Sequence, residues 1–219
     1  MHRSHNRPVI FGEVLFDHFP DGSRVLGGAP FNVAWHLRGF GANPLVLSAV
    51  GDDDEGREVR ERMTSWDLAD QGVQIDPRHP TGRVTASIVD GENRFEIAPG
   101  QAWDFIQAAP ALRTVAEEPP GLLYHGSLAL RAPQSWQTLR TLHAKVDATT
   151  FIDINLREPW WTKEKLDWCL STGNWIKLND AELSAITDKP ADSFEPVSYT
   201  HLTLPTNRVA GGGGGGGGG

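Results

Sequence analysis

The 219-residue chain carries 20 basic and 28 acidic residues, for a formal net charge of −8, and its hydrophobic fraction of 39% suffices for one substantial buried core. The acidic balance without a Lys/Arg cluster argues against nucleic-acid binding, and no apolar segment is long enough for a signal peptide or a membrane span. Because the single cysteine, Cys169, excludes an intrachain disulfide framework, we expect a cytoplasmic protein.

The N-terminal part of the chain predicts two buried strands with a helix between them. Residues 8–17 (PVIFGEVLFD) form an apolar, β-rich run that predicts the first strand, and Asp21-Gly22 is a turn signal. Residues 44–51 predict the second strand. The helix predicted over 30–40 is apolar on more than one side, so we expect it to pack between layers. Its apolar residues are Phe31, Ala34, Trp35, Leu37 and Phe40.

The segment GDDDEG, residues 51–56, predicts the start of a charged helix. Val59, Met63 and Trp66 recur at spacings of four and three residues, so one stripe of this helix is expected to face the core. The acidic run Asp52–Asp54 could suggest a metal site. Such a run more often caps a helix and favours its positive N-terminal end, and we therefore predict capping.

Residues 81–98 predict a β-hairpin. Apolar and polar residues alternate over 83–88, Asp90-Gly91 gives the turn, and residues 94–97 begin the return strand. The hairpin interrupts an otherwise regular alternation of helices and strands. We therefore expect it to project from the main sheet as a flap.

The rest of the chain continues this alternation. The predicted elements are strands at 121–127, 149–155 and 174–179, and helices at about 136–146, at 163–172 and from Asp180 onward. Alternating strands and helices predict an α/β fold with a doubly wound parallel sheet and helices on both faces.

The C-terminal segment differs in composition from the rest. It reads EPVSYTHLTLPTNRVA and ends in nine glycines, Gly211 to Gly219. Poly-Gly has no side chain to bury, so we expect residues 195–219 to be disordered and to be either an expression linker or an artefact that resembles translated adapter DNA. The predicted domain therefore spans residues 8–194.

Several polar or glycine positions are expected at one rim of the sheet, because doubly wound sheets bind ligands outside the carboxyl ends of their strands. They are Asp17, Gly27-Gly28, Asp153 to Arg157, and Asn179. Glycines let a ligand approach the backbone, the Asn32 amide both donates and accepts, and the Asp17 carboxylate accepts from a pair of hydroxyls. This combination suits a polyol, although a glycine turn with a helix-capping Asn32 explains the residues equally well.

A longer spaced pattern carries a family resemblance. It consists of Gly27-Gly28-x-Pro30-x-Asn32-x-Ala34, followed by Gly41 and Gly51. Three shorter runs follow in order, namely Gly51-x-Asp53-x-x-Gly56, Asp153-x-Asn155-x-Arg157 with Trp160 and Trp161, and Lys177-x-Asn179-x-x-Glu182. Together they resemble the N-terminal two-thirds of the ribokinase-like (PfkB) carbohydrate kinases, and the second short run resembles their fructokinase branch.

The resemblance implies a ribokinase-like α/β/α sandwich with a small β lid near 81–98, and ATP-dependent phosphorylation of a sugar, with a ketose such as fructose favoured. It implies that the sugar hydroxyls are held by Asp17, Gly27, Gly28 and Asn32, and that Mg²⁺ and its waters are organised by Asn179 and Glu182, with no direct metal ligand. Phe95 would cover the sugar or pack the lid. Arg157 would contact substrate or form a structural ion pair. Pairing of lids would give a homodimer.

The pattern departs from the family in one respect. The family's late G-A-G-D run, which supplies a general base and the helix N-terminus that binds phosphate, has no counterpart in this sequence. We therefore name no catalytic residue and expect a C-terminally truncated, inactive chain. A non-catalytic sugar-binding module is the alternative. A dinucleotide enzyme is disfavoured because no G-x-G-x-x-G follows the first strand, and a zinc enzyme because the histidines are scattered.

Overall fold

The computed structural model describes residues 7–89 and 92–187, with the backbone alone for 88, 89 and 92–94. The strands are β1 Pro8–Phe11, β2 Leu15–His18, β3 Arg24–Gly27, β4 Leu45–Gly51, β5 Val73–Asp76, β6 Gly82–Val89, β7 Glu92–Ile97, β8 Leu122–Gly126, β9 Thr149–Asp153 and β10 Trp175–Lys177. The helices are α1 Ala29–Gly39, α2 Asp54–Ser65, α3 Ala108–Glu117, α4 Pro133–Lys145, α5 Lys163–Thr172 and α6 Asp180–Thr187.

Six strands form the main sheet in the order β10-β9-β8-β1-β4-β5, and all its neighbouring strands run parallel. Successive residues of the central strand β1 point to opposite faces. Val9 and Phe11 belong to an apolar cluster with residues of α3, α4 and α5, whereas Ile10 belongs to a second cluster with residues of α1 and α2. The predicted doubly wound sheet with helices on both faces is confirmed.

A second sheet has four strands in the order β3-β2-β6-β7. It contains the hairpin expected to be the lid, and we call it the lid sheet or lid. β2 pairs antiparallel with β3 and parallel with β6, and β6 pairs antiparallel with β7. The predicted hairpin is confirmed as β6 and β7. Its turn, predicted at Asp90-Gly91, lies outside the described residues.

The prediction of one strand over 8–17 is wrong. The chain leaves the main sheet after Phe11 and enters the lid at Leu15, so the run is divided between two sheets. Asp17 therefore lies on a lid strand rather than at the rim of the main sheet. The break falls at Gly12, where a Cβ would lie 2.5 Å from the Pro30 side chain.

The helix predictions hold in position but not for every side chain. Asp53 caps α2 through a 2.7 Å hydrogen bond from the Gly56 amide to its carboxylate, which confirms the predicted capping. Phe40 follows the end of α1 and is 89% exposed, so it does not join the core. Trp66, also expected in the core, is 42% exposed and stacks on Trp35 with ring centroids 5.1 Å apart.

Three elements were not predicted from the sequence, namely β3, β5 and α3. β3 and β5 have only four residues each, which is too short for a periodic signal. Among the described residues, no helix combines the length and the apolar character that crossing a membrane requires. Residues 188–219, which include the end of the predicted domain and the predicted artefactual tail, lie outside the described part of the chain.

Candidate active site

A cavity of about 270 Å³ lies at the carboxyl edge of the main sheet. Gly126, Asp153 and Lys177 are the last residues of the neighbouring strands β8, β9 and β10, and all three line it. The charged and amide side chains of its lining are Glu13, Asp153, Asn155, Lys177, Asn179 and Glu182. This is the edge at which doubly wound sheets bind ligands.

Glu13 lies in this lining, directly after β1, and only 2% of it is exposed. Its Oε2 atom is enclosed and has no hydrogen-bond partner among the described residues. Burial raises the pKa of the Glu13 carboxyl from 4.5 to about 7, although the backbone amides of Glu13 and Ala29 and the charge of Arg131 act in the opposite direction. A nearly neutral carboxyl can both donate and accept a hydrogen bond.

Sequence reasoning did not select Glu13 as a site residue. The signal was present, because Glu13 is the one charged residue inside the apolar run from Pro8 to Phe16. A carboxylate in such a run is rarely buried without a reason.

Asp153 forms the centre of a second polar group in the lining of the cavity. Lys177 Nζ donates to both carboxylate oxygens of Asp153, at 2.7 and 2.9 Å, and the Tyr124 hydroxyl donates to Oδ2 at 3.1 Å. Burial, and next the Asp153 charge, raise the pKa of the Tyr124 hydroxyl, so it remains a donor. Asp153 therefore fixes the position of the Lys177 side chain at the cavity.

Asn179 and Glu182 form a reciprocal cap at the start of α6. The Asn179 amide N–H donates to Glu182 Oε2 at 2.9 Å, and the Glu182 amide N–H donates to Asn179 Oδ1 at 2.8 Å. The other oxygen of Glu182, Oε1, accepts from the Leu156 amide at 3.1 Å. Both side chains line the cavity but are already engaged with backbone, and each carboxylate oxygen of Glu182 retains acceptor capacity.

Asp17, Gly27 and Asn32 meet on the lid side of the site. A Cβ on Gly27 would lie 3.3 Å from Asp17 Oδ2 and 3.9 Å from Asn32 Nδ2. The two side chains therefore converge on the bare Gly27 backbone from β2 and from the first turn of α1. Partial burial raises the pKa of the Asp17 carboxyl above 3.8, and the charge of His18 opposes this. These three residues are not part of the lining of the 270 Å³ cavity.

Gly28 has a structural role that the sequence did not reveal. Its φ is +105°, and a Cβ at this position would lie 2.5 Å from the Glu13 carbonyl oxygen. Because Gly28 has no side chain, the two segments that connect the main sheet to the lid can pack directly against each other. These segments are residues 12–14 and residue 28. The space that Gly28 leaves is filled by protein backbone.

Gly28→Ala is therefore expected to lower the free energy of unfolding by about 2 kcal/mol or more, since it combines a strained backbone with a backbone clash. Gly22→Ala is the matched control, because Gly22 also has a positive φ, +82°, but nothing within 4 Å. It is expected to cost about 1 kcal/mol. Urea unfolding of both variants measures the difference, and equal losses would contradict the packing role of Gly28.

Arg157 and Phe95 lie apart from the cavity lining. Arg157 is exposed and forms no ion pair with any described residue, so its structural ion-pair interpretation has no support in the described chain. Phe95 is 60% exposed on β7, where its register partner is Ala86 of β6. It therefore does not pack within the lid.

A doubly wound sheet with a polar cavity at its carboxyl edge and a small second sheet places the chain among the α/β proteins, whose ligand sites typically lie at this edge. The chain matches the profile of the pfkB family carbohydrate kinase over residues 6–201, and it belongs to that family. The resemblance seen in the sequence motifs is thus confirmed.

Curated relatives agree with this family. The chain is 26% identical over 217 residues to the probable fructokinase-2 of Arabidopsis thaliana, covering 90% of this chain and 66% of the relative. It is 29% identical over 192 residues to the fructokinase of Klebsiella pneumoniae, covering 81% of this chain and 62% of the relative. The chain thus spans about two-thirds of the length of the curated relatives that it matches.

Solved structures confirm the fold. The apo form of fructokinase from Vibrio cholerae O395 superposes with a TM-score of 0.72 at 24% identity, covering 84% of this chain and 67% of that one. Fructokinase with bound ATP from Xylella fastidiosa gives a TM-score of 0.76 at 19% identity, covering 85% and 62%. The predicted ribokinase-like architecture is therefore correct.

Proposed function

We propose that this chain is the sugar-binding part of a fructokinase-like enzyme, which transfers the γ-phosphoryl group of ATP to a sugar hydroxyl. The observation that carries the proposal is the convergence of Asp17 Oδ2 and Asn32 Nδ2 on the backbone of Gly27. The curated relatives named above are fructokinases, and the Vibrio cholerae enzyme has also been solved in a fructose, ADP and calcium ion bound form.

The lid-side residues have the chemistry that a sugar requires. Each sugar hydroxyl donates one hydrogen bond and accepts others, so a good site offers both kinds of group. The Asp17 carboxylate accepts from two hydroxyls, and the Asn32 amide donates to one oxygen while accepting from another. Gly27 allows the ring to approach the backbone between them. Phe95 covers the sugar from the lid and Arg157 contacts it in this proposal, and a ketose such as fructose is the favoured substrate.

The cavity at the sheet edge fits the phosphates of ATP with a hydrated Mg²⁺. Lys177 supplies a positive charge that Asp153 holds in place. Because each Glu182 oxygen already accepts one backbone N–H, Glu182 and Asn179 suit hydrogen bonds to metal-bound water better than direct coordination. When bound, Mg²⁺ neutralises charge on the phosphates, which is the principal requirement of phosphoryl transfer.

Two further parts of the proposal concern assembly and location. The apolar side chains of Val25 and Phe95, 55% and 60% exposed on the lid, offer surface for a lid-to-lid homodimer.

The one cysteine, Cys169, is buried, and burial raises its pKa to about 12, which keeps it a thiol. A cytoplasmic location is consistent with this chemistry.

A second candidate is sugar binding without phosphoryl transfer by the 219-residue chain. The observation that favours it is the lack of a G-A-G-D run in the sequence, which leaves no carboxylate that we assign as the general base. Such a base typically contributes about 10²–10⁴-fold in rate. The sugar-side residues Asp17, Gly27 and Asn32 do not depend on that run.

Thermal unfolding with a panel of sugars tests the proposal. D-fructose at about 100 times its Kd is expected to stabilise the 219-residue chain by about 2.7 kcal/mol, and D-glucose and D-ribose at the same concentration are expected to stabilise it less. A coupled assay for ADP then tests the second candidate and the expected inactivity of the 219-residue chain. Fructose-dependent ADP formation would contradict both. No stabilisation by any sugar would contradict both candidate functions.

A further inference from the structure

Glu55, in the first turn of α2, contacts an arginine or histidine side chain from each of three strands of the lid. Oε1 lies 2.9 Å from Arg24 Nη1 of β3 and 2.9 Å from His18 Nε2 of β2, and Oε2 lies 3.2 Å from Arg83 Nη2 of β6. Glu55 is only 8% exposed. One nearly buried carboxylate on the main domain thus contacts three of the four lid strands.

The residues beside Glu55 add contacts of the same kind. Glu58, one turn further along α2, also accepts from Arg24. Asp53 accepts from the Thr81 amide at 2.8 Å and from the Thr81 hydroxyl at 2.6 Å, at the point where the chain enters β6. We call residues 53–58 the lid anchor. Its acidic residues lie at the N-terminal end of α2, where the helix dipole favours negative charge.

The strands held by the lid anchor are those that carry the lid-side site. His18 follows Asp17 on β2, and its register partner on β3 is Arg24. Gly27 is the last residue of β3, three positions after Arg24. A displacement of β2 and β3 away from α2 would therefore move Asp17 and Gly27 relative to Asn32, which lies on α1 of the main domain.

Among the residues of the lid anchor, Glu55 is the one on which docking of the lid depends, because its charge attracts two guanidinium groups. With Glu55 ionised, the guanidinium groups of Arg24 and Arg83 are attracted to one point. With a neutral side chain in its place, both guanidinium groups lose the negative charge that they share. Arg24 would retain Glu58, whereas Arg83 would lose its ion-pair partner among the described residues.

We propose that Glu55 is a positioning residue, which docks the lid on α2 and thereby holds Asp17 where it binds the sugar. This inference rests on the sugar-binding function proposed above. Glu55 itself does not line the 270 Å³ cavity, so its effect on the ligand passes through the lid strands.

Glu55→Gln tests the proposal, because it removes the charge and keeps the shape. Glu61→Gln is the matched control, since Glu61 is exposed on the same helix and makes no ion pair with a described residue. We expect Glu55→Gln to weaken D-fructose binding roughly tenfold and to speed amide hydrogen exchange in β2 and β3 by a similar factor. Glu61→Gln is expected to change neither.

A double-mutant cycle with Asp17→Asn separates positioning from a general loss of stability. If Glu55 acts through Asp17, the tenfold loss of fructose affinity caused by Glu55→Gln should largely disappear when Asp17 is already asparagine. Equal losses in both backgrounds would overturn the positioning role, and so would unchanged fructose affinity in Glu55→Gln. If the unsubstituted chain binds no sugar of the panel, the proposed function fails and the positioning role fails with it. Unchanged lid exchange in Glu55→Gln would overturn the docking role independently of any sugar.

Discussion

At pH 8, Glu13→Gln is expected to raise the free energy of unfolding by about 3 kcal/mol. The native pKa of the Glu13 carboxyl is about 7, against 4.5 for an ordinary glutamate. At 1.36 kcal/mol for each tenfold change in the proton equilibrium, this difference corresponds to about 3 kcal/mol. Above pH 7 the wild-type chain must hold an ionised carboxylate in a buried position, and glutamine removes that cost.

The direction of the pH dependence follows from proton binding. Between pH 4.5 and about 7, the native chain keeps the Glu13 proton that the unfolded chain has already released. Raising the pH through this window therefore favours the unfolded chain, and wild-type stability falls until about pH 7. Below pH 4.5 the carboxyl is neutral in both states, so Glu13→Gln should have little effect there.

Urea unfolding followed by tryptophan fluorescence at pH 4, 6 and 8 measures this difference. Glu61→Gln again serves as the control, because an exposed carboxylate on α2 should change stability by less than about 0.5 kcal/mol at each pH. The prediction concerns the pH dependence of the difference between wild type and Glu13→Gln. A gain that is the same at pH 4 and pH 8 would show that burial does not raise the pKa of the Glu13 carboxyl.

A carboxyl that lowers stability at neutral pH is more readily explained by function than by folding. Glu13 connects the main sheet to the lid, lines the cavity, and keeps Oε2 without a partner among the described residues. Residues at binding sites commonly lower the stability of the folded protein. Gly28 also packs against the Glu13 carbonyl. Glu13 therefore belongs both to the segment that connects the two sheets and to the lining of the cavity.

The main sheet was predictable because its strands are buried on both faces and are separated by helices of ordinary length. Such runs, as in PLVLSAVG at 44–51, are continuous in apolar residues and end at clear turn signals. The cap at Asp53 and the lid hairpin follow from equally local signals. Gly27 and Asn32 belong to the spaced motif, whereas Asp17 was selected as the end of the first predicted strand. The structure brings these three candidate residues together.

The division of the first strand was not predictable from local sequence. Residues 8–17 read as one apolar run, and only pairing with distant strands assigns Phe11 to the main sheet and Phe16 to the lid. The Gly12-Glu13 pair is the one local sign of a break. The role of Glu182 in capping α6 was not predictable for a related reason, because the motif does not show that its carboxylate also accepts from the backbone amides of Asn179 and Leu156.

Asp17→Asn is expected to weaken D-fructose binding roughly 10- to 100-fold. A hydrogen bond to a charged group contributes about 1.5–3 kcal/mol, which corresponds to that range. The asparagine side chain has the same shape as aspartate, but its amide nitrogen cannot accept a hydrogen bond from a hydroxyl. One of the two hydroxyls held by Asp17 would then face a donor, while Gly27 and Asn32 stay in place. Isothermal titration with D-fructose gives the two affinities directly.

The pH dependence of fructose binding supplies the second measurement. Partial burial raises the pKa of Asp17 above 3.8, so acidification protonates it at a higher pH than an ordinary aspartate. The fructose affinity of the wild type should fall as the pH falls through the raised pKa of Asp17. The fructose affinity of Asp17→Asn should not show this pH dependence. Asp21→Asn, in the turn between β2 and β3, is the control, because Asp21 is exposed and its side chain bonds only to Ser23 among the described residues. Fructose affinity that is unchanged in Asp17→Asn would place the sugar elsewhere, and the cavity at the sheet edge, with Glu13 and Asp153, would then be the next site to test.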